Sequence, residues 1–275
     1  MVKGFCEIFK LTNKYIVLAT PLILYTLFTS VYLAASATGK LINLLIALVL
    51  FTLMTAAFIA GWFNMIKIAI VAPQRDDANS LIKEFIPGVG EYFLSSMGSL
   101  VNIFIVTLLV FIITIYAGMH FIGNPDISVE ALSKSLETAV TLKTFLASLS
   151  TEQLVKLNQW NILLMSGISF AYFILLLYLP ALFFKKKNPF MALVVSFKDL
   201  FSKHILKTFG IYVLIFLANA IISILSALFI GNVVMHFILT LANFYFVTFA
   251  AVGVFYYYFK TFIEPQIGQN VDLRV

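Results

Sequence analysis

Residues 208–259 read TFGIYVLIFLANAIISILSALFIGNVVMHFILTLANFYFVTFAAVGVFYYYF, 52 consecutive positions without an Asp, Glu, Lys or Arg. A charge at mid-bilayer costs about 2.5 to 3.5 kcal/mol on insertion scales, so a long uncharged apolar run is the pattern a membrane span demands. About 20 apolar residues cross the hydrocarbon core. This run is too long for one helix, and Gly231-Asn232 supplies a turn near its middle. It therefore reads as a hairpin of two spans, near 208–230 and 233–259.

Four more uncharged runs extend the pattern: Tyr15–Gly39, Leu41–Ile66, Tyr92–Pro125 and Leu157–Phe184. They place spans near 15–36, 42–66, 95–122 and 160–184, which makes six. Composition agrees, since 62% of the 275 residues are AVILMFWYC and 11% are charged, against about 25% charged in soluble domains. The whole chain reads as a single integral membrane domain. Cleavage after Ala35-Ser36-Ala37 is the competing reading of the first run. That run is longer than a signal-peptide apolar core of about 7 to 15 residues, so it is read as a span.

Orientation follows from the basic residues. With the N-terminus inside, Lys3, Lys10, Lys14, Lys67, Arg75, Lys83, Lys185, Lys186, Lys187, Lys198, Lys203, Lys207, Lys260 and Arg274 fall on one side and only Lys40, Lys134, Lys143 and Lys156 on the other. Positive residues are retained in the cytoplasm, so both termini are expected there, in a bacterial-type inner membrane. Trp160 and Tyr256-Tyr257-Tyr258 fit as interfacial anchors. The formal charge of +6 is thus an orientation signal, and no nucleic-acid partner is expected.

Before each odd-numbered span lies a segment with apolar residues at helical spacing: Phe5, Ile8 and Phe9; Leu81, Ile82, Phe85 and Ile86; and Phe190, Leu193, Val194, Phe197, Leu200 and Phe201. Such stripes, flanked by lysines, predict amphipathic helices in the membrane interface at 4–13, 79–87 and 188–204. Asn188 is placed to cap the third, with Pro189 at its first position. The second is expected to end at Pro87-Gly88-Val89-Gly90. The fold class is therefore all-α and polytopic, with three tandem units of interfacial helix and hairpin. Residues 124–159 form a small outer cap of two short helices separated near Ser148–Thr151, with Ser150 or Thr151 capping the second.

Chemistry is sparse. The lone Cys6 excludes an internal disulfide. No ionisable residue lies at mid-span, Lys67 being close enough to the inner end to snorkel to the headgroups. Pro21 and Pro180 are expected to kink their helices. Deep polar groups are the amides Asn102, Asn219 and Asn243, the candidate intramembrane contacts, and an Asn219–Asn243 hydrogen bond is expected within the last hairpin. Lys185, Lys186, Lys187, Lys198, Lys203 and Lys207 are the candidate lipid-headgroup contacts. His120, His236 and Asp126 would form a metal site only if the third and sixth spans adjoin. With no supporting i, i+4 pair, neither a metal nor a cofactor is assigned, and no catalytic residue is found.

The order Pro180, Lys185–Lys187, Asn188-Pro189-Phe190-Met191-Ala192-Leu193 and Ser196-Phe197-Lys198-Asp199-Leu200, leading into the fifth span, resembles the multi-span membrane domain attached to some bacterial glycerophosphodiester phosphodiesterases and its stand-alone relatives. The resemblance covers about 45 residues and implies an accessory membrane module; the catalytic domain has no counterpart here. The expected function is a non-enzymatic, lipid-contacting accessory or subunit of a larger membrane complex, bound to membrane lipids and to a membrane-protein partner or a second copy. The alternative is a transporter or lipid-permease component, with a path near Asn102, Asn219 and Asn243.

Overall fold

A computed structural model of the chain describes residues 2–36, 41–73, 78–124, 127–135, 138–229 and 231–266. These are almost entirely helical, with no strand among them. The helices are α1 Val2–Lys14, α2 Ala19–Ser36, α3 Leu41–Val71, α4 Phe85–Phe121, α5 Val129–Ser135, α6 Ala139–Ser148, α7 Thr151–Leu175, α8 Tyr178–Phe184, α9 Pro189–Leu200, α10 Ile205–Leu228 and α11 Val233–Tyr258. Five helical stretches are long and apolar enough to cross a membrane, and a sixth if the bent pair α1–α2 counts as one. The chain is an all-α polytopic membrane protein.

Two compact units emerge from the packing, one of residues 1–102 and 174–275, the other of residues 103–173. In the first unit α11 is the hub, touching α1, α2, α3, α8 and α10. Its core is aromatic and lies toward the lysine-rich ends of the helices. Phe63 of α3 stacks on Phe255 of α11 with ring centroids 4.9 Å apart. Phe183 of α8 packs on Tyr92 of α4 at 4.4 Å, and Tyr178, Tyr258 and Met65 are fully buried beside them. Away from this core the large apolar side chains are exposed. None of the most apolar stretch of α10 is buried inside the chain. That distribution suits a solvent of lipid, which gives apolar side chains no reason to leave it.

Proline decides where three of the helices start. Pro21, Pro87 and Pro180 each occupy the third helical position of α2, α4 and α8. There the missing N–H has no intrahelical partner to lose. Pro21 therefore opens a new helix where a kink was expected, and Pro180 follows a two-residue break at 176–177 inside the membrane-length stretch Thr151–Phe184. The expected break at Pro87-Gly88-Val89-Gly90 moves upstream: residues 78–84 form a 3₁₀ segment and α4 runs unbroken through all four positions. The carbonyl just before α2, on Leu18, accepts from Trp62 Nε1 at 2.7 Å. That just before α4, on Glu84, accepts from Asn64 Nδ2 at 3.1 Å. Both donors belong to α3, which thereby stitches the two breaks. Gly61 and Gly88 let α3 meet the start of α4: a Cβ on Gly88 would lie 2.6 Å from Asn64 Cβ and 3.0 Å from the Ala60 carbonyl oxygen.

The amphipathic segments take shape differently. α1 meets α2 at a bend of 76°, the change of direction an interfacial helix needs before a span. α9 begins as read, with Asn188 Oδ1 accepting from Phe190 N at 3.0 Å and Met191 N at 3.1 Å. Its packed face lies mainly beside the apolar stripe, which was expected to face the acyl chains. Ala192, Ser196 and Leu200 are buried, while Phe190, Val194 and Phe201 are exposed. Small residues let α9 lie close on α8, and the large apolar ones are left for lipid. The helix ends at Leu200, short of the expected 204.

In the second unit, Trp160 Nε1 donates to the Gly123 carbonyl at 2.9 Å. Gly123, with φ +79°, closes α4 in the left-handed conformation that glycine accepts without strain. The outer segment holds α5 and α6, packed on each other. A capping box at Thr138 starts α6. Ser150 caps the next helix, accepting from Gln153 N at 3.2 Å while its own N–H donates to Gln153 Oε1 at 3.0 Å. That helix is α7, which continues unbroken into the span, so the expected second short helix does not exist.

Candidate functional site

Three successive tyrosines close α11 and, at 100° per residue, point in three directions. Tyr256 donates to Glu7 of α1. Tyr257 and Thr208 of α10 share a hydrogen bond of 2.8 Å. Tyr258 donates to Asp199 Oδ2 of α9 at 2.5 Å. Residues expected as membrane anchors are thus spokes that hold the amphipathic helices and α10 to the hub.

Asp199 is the centre of the densest polar cluster. Lys185 Nζ donates to both carboxylate oxygens, at 3.0 and 2.8 Å, and the two side chains are 17% and 14% exposed. Lys185 also lies over the rings of Tyr258 and Phe262, 5.4 and 5.3 Å from their centroids. Such a pair is largely desolvated, so its attraction is screened little by salt. A cleft of about 520 Å³ opens beside it, bounded by the end of α8, by α9 and by helical residues 259–266, which continue α11. Lys186 and Lys198 line it and are exposed.

The remaining candidate lysines disperse. Lys187 pairs with Glu91 at 2.7 Å. Lys207 lies over the Tyr257 ring at 5.3 Å, and Lys203 is exposed at the turn between α9 and α10. Lys67 is half-buried and donates to Tyr92 Oη at 2.7 Å.

The three asparagines do not share one environment. Asn102 is buried and its Nδ2 donates to Tyr178 Oη at 2.9 Å, which in turn donates to the Pro189 carbonyl at 3.2 Å. This relay joins α4, α8 and α9. Asn219 and Asn243 are exposed on α10 and α11. The expected bond between them does not form, and among the described residues neither side chain has a hydrogen-bond partner. As for the histidine triad, Asp126 lies outside the described residues, and His120 rests edge-on against Phe121. Among the described residues no group of three His, Cys, Asp or Glu side chains could hold a metal.

Sequence patterning marked Lys185, Lys186 and Lys198 but missed Asp199, Tyr258 and Phe262 as their setting. The spacing Lys185 to Asp199 across a capped helix start was the available signal. Compared with protein-family models, curated proteins and solved structures, the chain matches none.

Proposed function

We propose that the chain is a non-enzymatic integral membrane protein of a cytoplasmic membrane, working as a lipid-contacting subunit of a larger membrane complex. The observation that carries the reading is the pair Asn219 and Asn243, two amides left exposed on neighbouring apolar helices. Asn219 lies nine residues before the end of α10 and Asn243 ten after the start of α11, about 14 Å from the turn at 1.5 Å per residue. That depth is hydrocarbon, where an unpaired amide is costly. A hydrogen bond across helices recovers about 0.6 and up to about 2 kcal/mol. The partner this implies is a transmembrane helix presenting an amide or hydroxyl, from another subunit or from a second copy. Lysine excess at one end of the spans supports an orientation with both termini in the cytoplasm. The carrier reading draws less support, because the Asn102 amide is committed to Tyr178.

Extraction into native lipid particles followed by mass spectrometry of co-purifying proteins tests this. A stoichiometric membrane partner, or a dimer, is expected for the wild type and is lost in Asn219→Leu/Asn243→Leu with the unfolding midpoint unchanged. An assembly that survives the double substitution, or a wild type that is monomeric and alone, overturns it.

A further inference from the structure

The cleft beside Asp199 combines features that the general lipid reading leaves unused. It is lined by Lys185, Lys186 and Lys198 together with the apolar side chains of Phe184, Val195 and Ile263. Asp199 also lines it, yet that carboxylate is already met by Lys185 at both oxygens and by the Tyr258 hydroxyl. With that charge offset, two lysines remain. Among the described residues neither Lys186 nor Lys198 has an acidic partner. The Lys185–Asp199 bridge therefore acts as a brace: it ties the end of α8 to α9, and Lys186 and Lys198, each next in sequence to one of its partners, line the same opening. Lysines beside apolar side chains in one cleft are the complement of a phosphate carried next to acyl chains.

We propose that this cleft binds one phosphate-bearing anion, the headgroup phosphate of an anionic phospholipid or a free phosphate, through Lys186 and Lys198. The proposal rests on the lipid-contacting part of the proposed function and narrows it to one site. Lys203 and Lys207, outside the cleft, then serve only general attraction to the surface. Gln266, which also lines the cleft, offers an amide donor to the same ligand.

The test uses the full chain in phosphatidylcholine nanodiscs doped with phosphatidylglycerol, with retained lipid counted by native mass spectrometry. Wild type is expected to keep one phosphatidylglycerol per chain. Lys186→Gln/Lys198→Gln is expected to weaken retention about tenfold or more, at roughly the contribution of two lysines near a charged surface. Lys186→Arg/Lys198→Arg restores it. Lys134→Gln/Lys143→Gln, which removes the same charge elsewhere, leaves it intact. Inorganic phosphate then separates the sources: displacement of the lipid at millimolar concentration assigns the site to a free anion, and persistence of the lipid assigns it to the headgroup. If the cleft variant retains phosphatidylglycerol as the wild type does, the cleft is overturned and the lipid reading stands. If the wild type neither prefers the anionic lipid nor binds inorganic phosphate, the cleft falls together with the lipid-contacting part of the proposed function.

Discussion

Tyr258 and Lys185 hold the same carboxylate, Asp199, from opposite helices: the hydroxyl at 2.5 Å and the ammonium at 3.0 and 2.8 Å. One acidic side chain thereby ties the last turn of α11 and the end of α8 to the last turn of α9. Removing it leaves Lys185 only 17% exposed and without a counter-charge. Breaking one partner of a largely buried pair costs about 3 kcal/mol or somewhat more, whereas removing both costs much less. Asp199→Ala should lower stability by that amount in denaturant unfolding of the nanodisc-embedded chain. Adding Lys185→Met should return most of it. Equal losses in the single and double variants would show that the stranded Lys185 charge is not what costs the stability, and no loss in Asp199→Ala would show that the bridge contributes nothing.

The relay from Asn102 to Tyr178 to Pro189 makes a second quantitative claim. Asn102→Leu removes a donor from a buried hydroxyl, and interhelical hydrogen bonds in membranes contribute about 0.6 kcal/mol, up to about 1.7. The Tyr178 hydroxyl also donates to the Pro189 carbonyl, so Tyr178→Phe should cost more than Asn102→Leu. Because both changes act on one network, the double variant should lose less than the sum. Strict additivity would separate Asn102 from the relay.

The sequence carried some of this and hid the rest for identifiable reasons. Uncharged runs exposed the spans because charge is costly in hydrocarbon, and Asn188-Pro189 exposed the start of α9 because the capping chemistry is local. Asn102 was visible as a deep polar group, but Tyr178 lies 76 residues away. No local pattern reports a partner at that separation. The stripe of α9 was legible as a lipid-facing surface, and Phe190 and Val194 are indeed left exposed, but the small residues Ala192 and Ser196 that mark its contact with α8 carry no such signal. Pro87 was misread as a breaker because a proline shortly before a helix and one inside its first turn look alike in sequence.

Close packing at Gly88 predicts a contrast within one helix turn. A methyl group there would meet the Asn64 side chain at 2.6 Å and the Ala60 carbonyl at 3.0 Å, whereas nothing lies within 4 Å of one on Gly90. Overpacking costs about 1 to 3 kcal/mol, and replacing an unobstructed helical glycine by alanine gains up to about 1 kcal/mol. Gly88→Ala should therefore destabilise the chain and Gly90→Ala should leave it unchanged or raise its unfolding midpoint. Matching effects would mean that α3 and α4 do not cross at this point.

Cys6 gives a direct test of the proposed orientation, since it is the single cysteine of the chain and is exposed. If the lysine-rich end faces the cytoplasm, a membrane-impermeant maleimide should leave Cys6 unlabelled in intact spheroplasts and label it in inverted vesicles. The result also locates the cleft. Cys6 precedes Glu7, whose carboxylate accepts from Tyr256, and two residues on Tyr258 grips Asp199 in the cleft wall. Those contacts hold α1 and α9 at the same end of α11, so the side on which Cys6 reacts is the side from which an anion reaches Lys186 and Lys198. Labelling in intact spheroplasts would reverse the orientation and place the basic cleft on the outer face, where the positive-inside rule gives no account of its lysines.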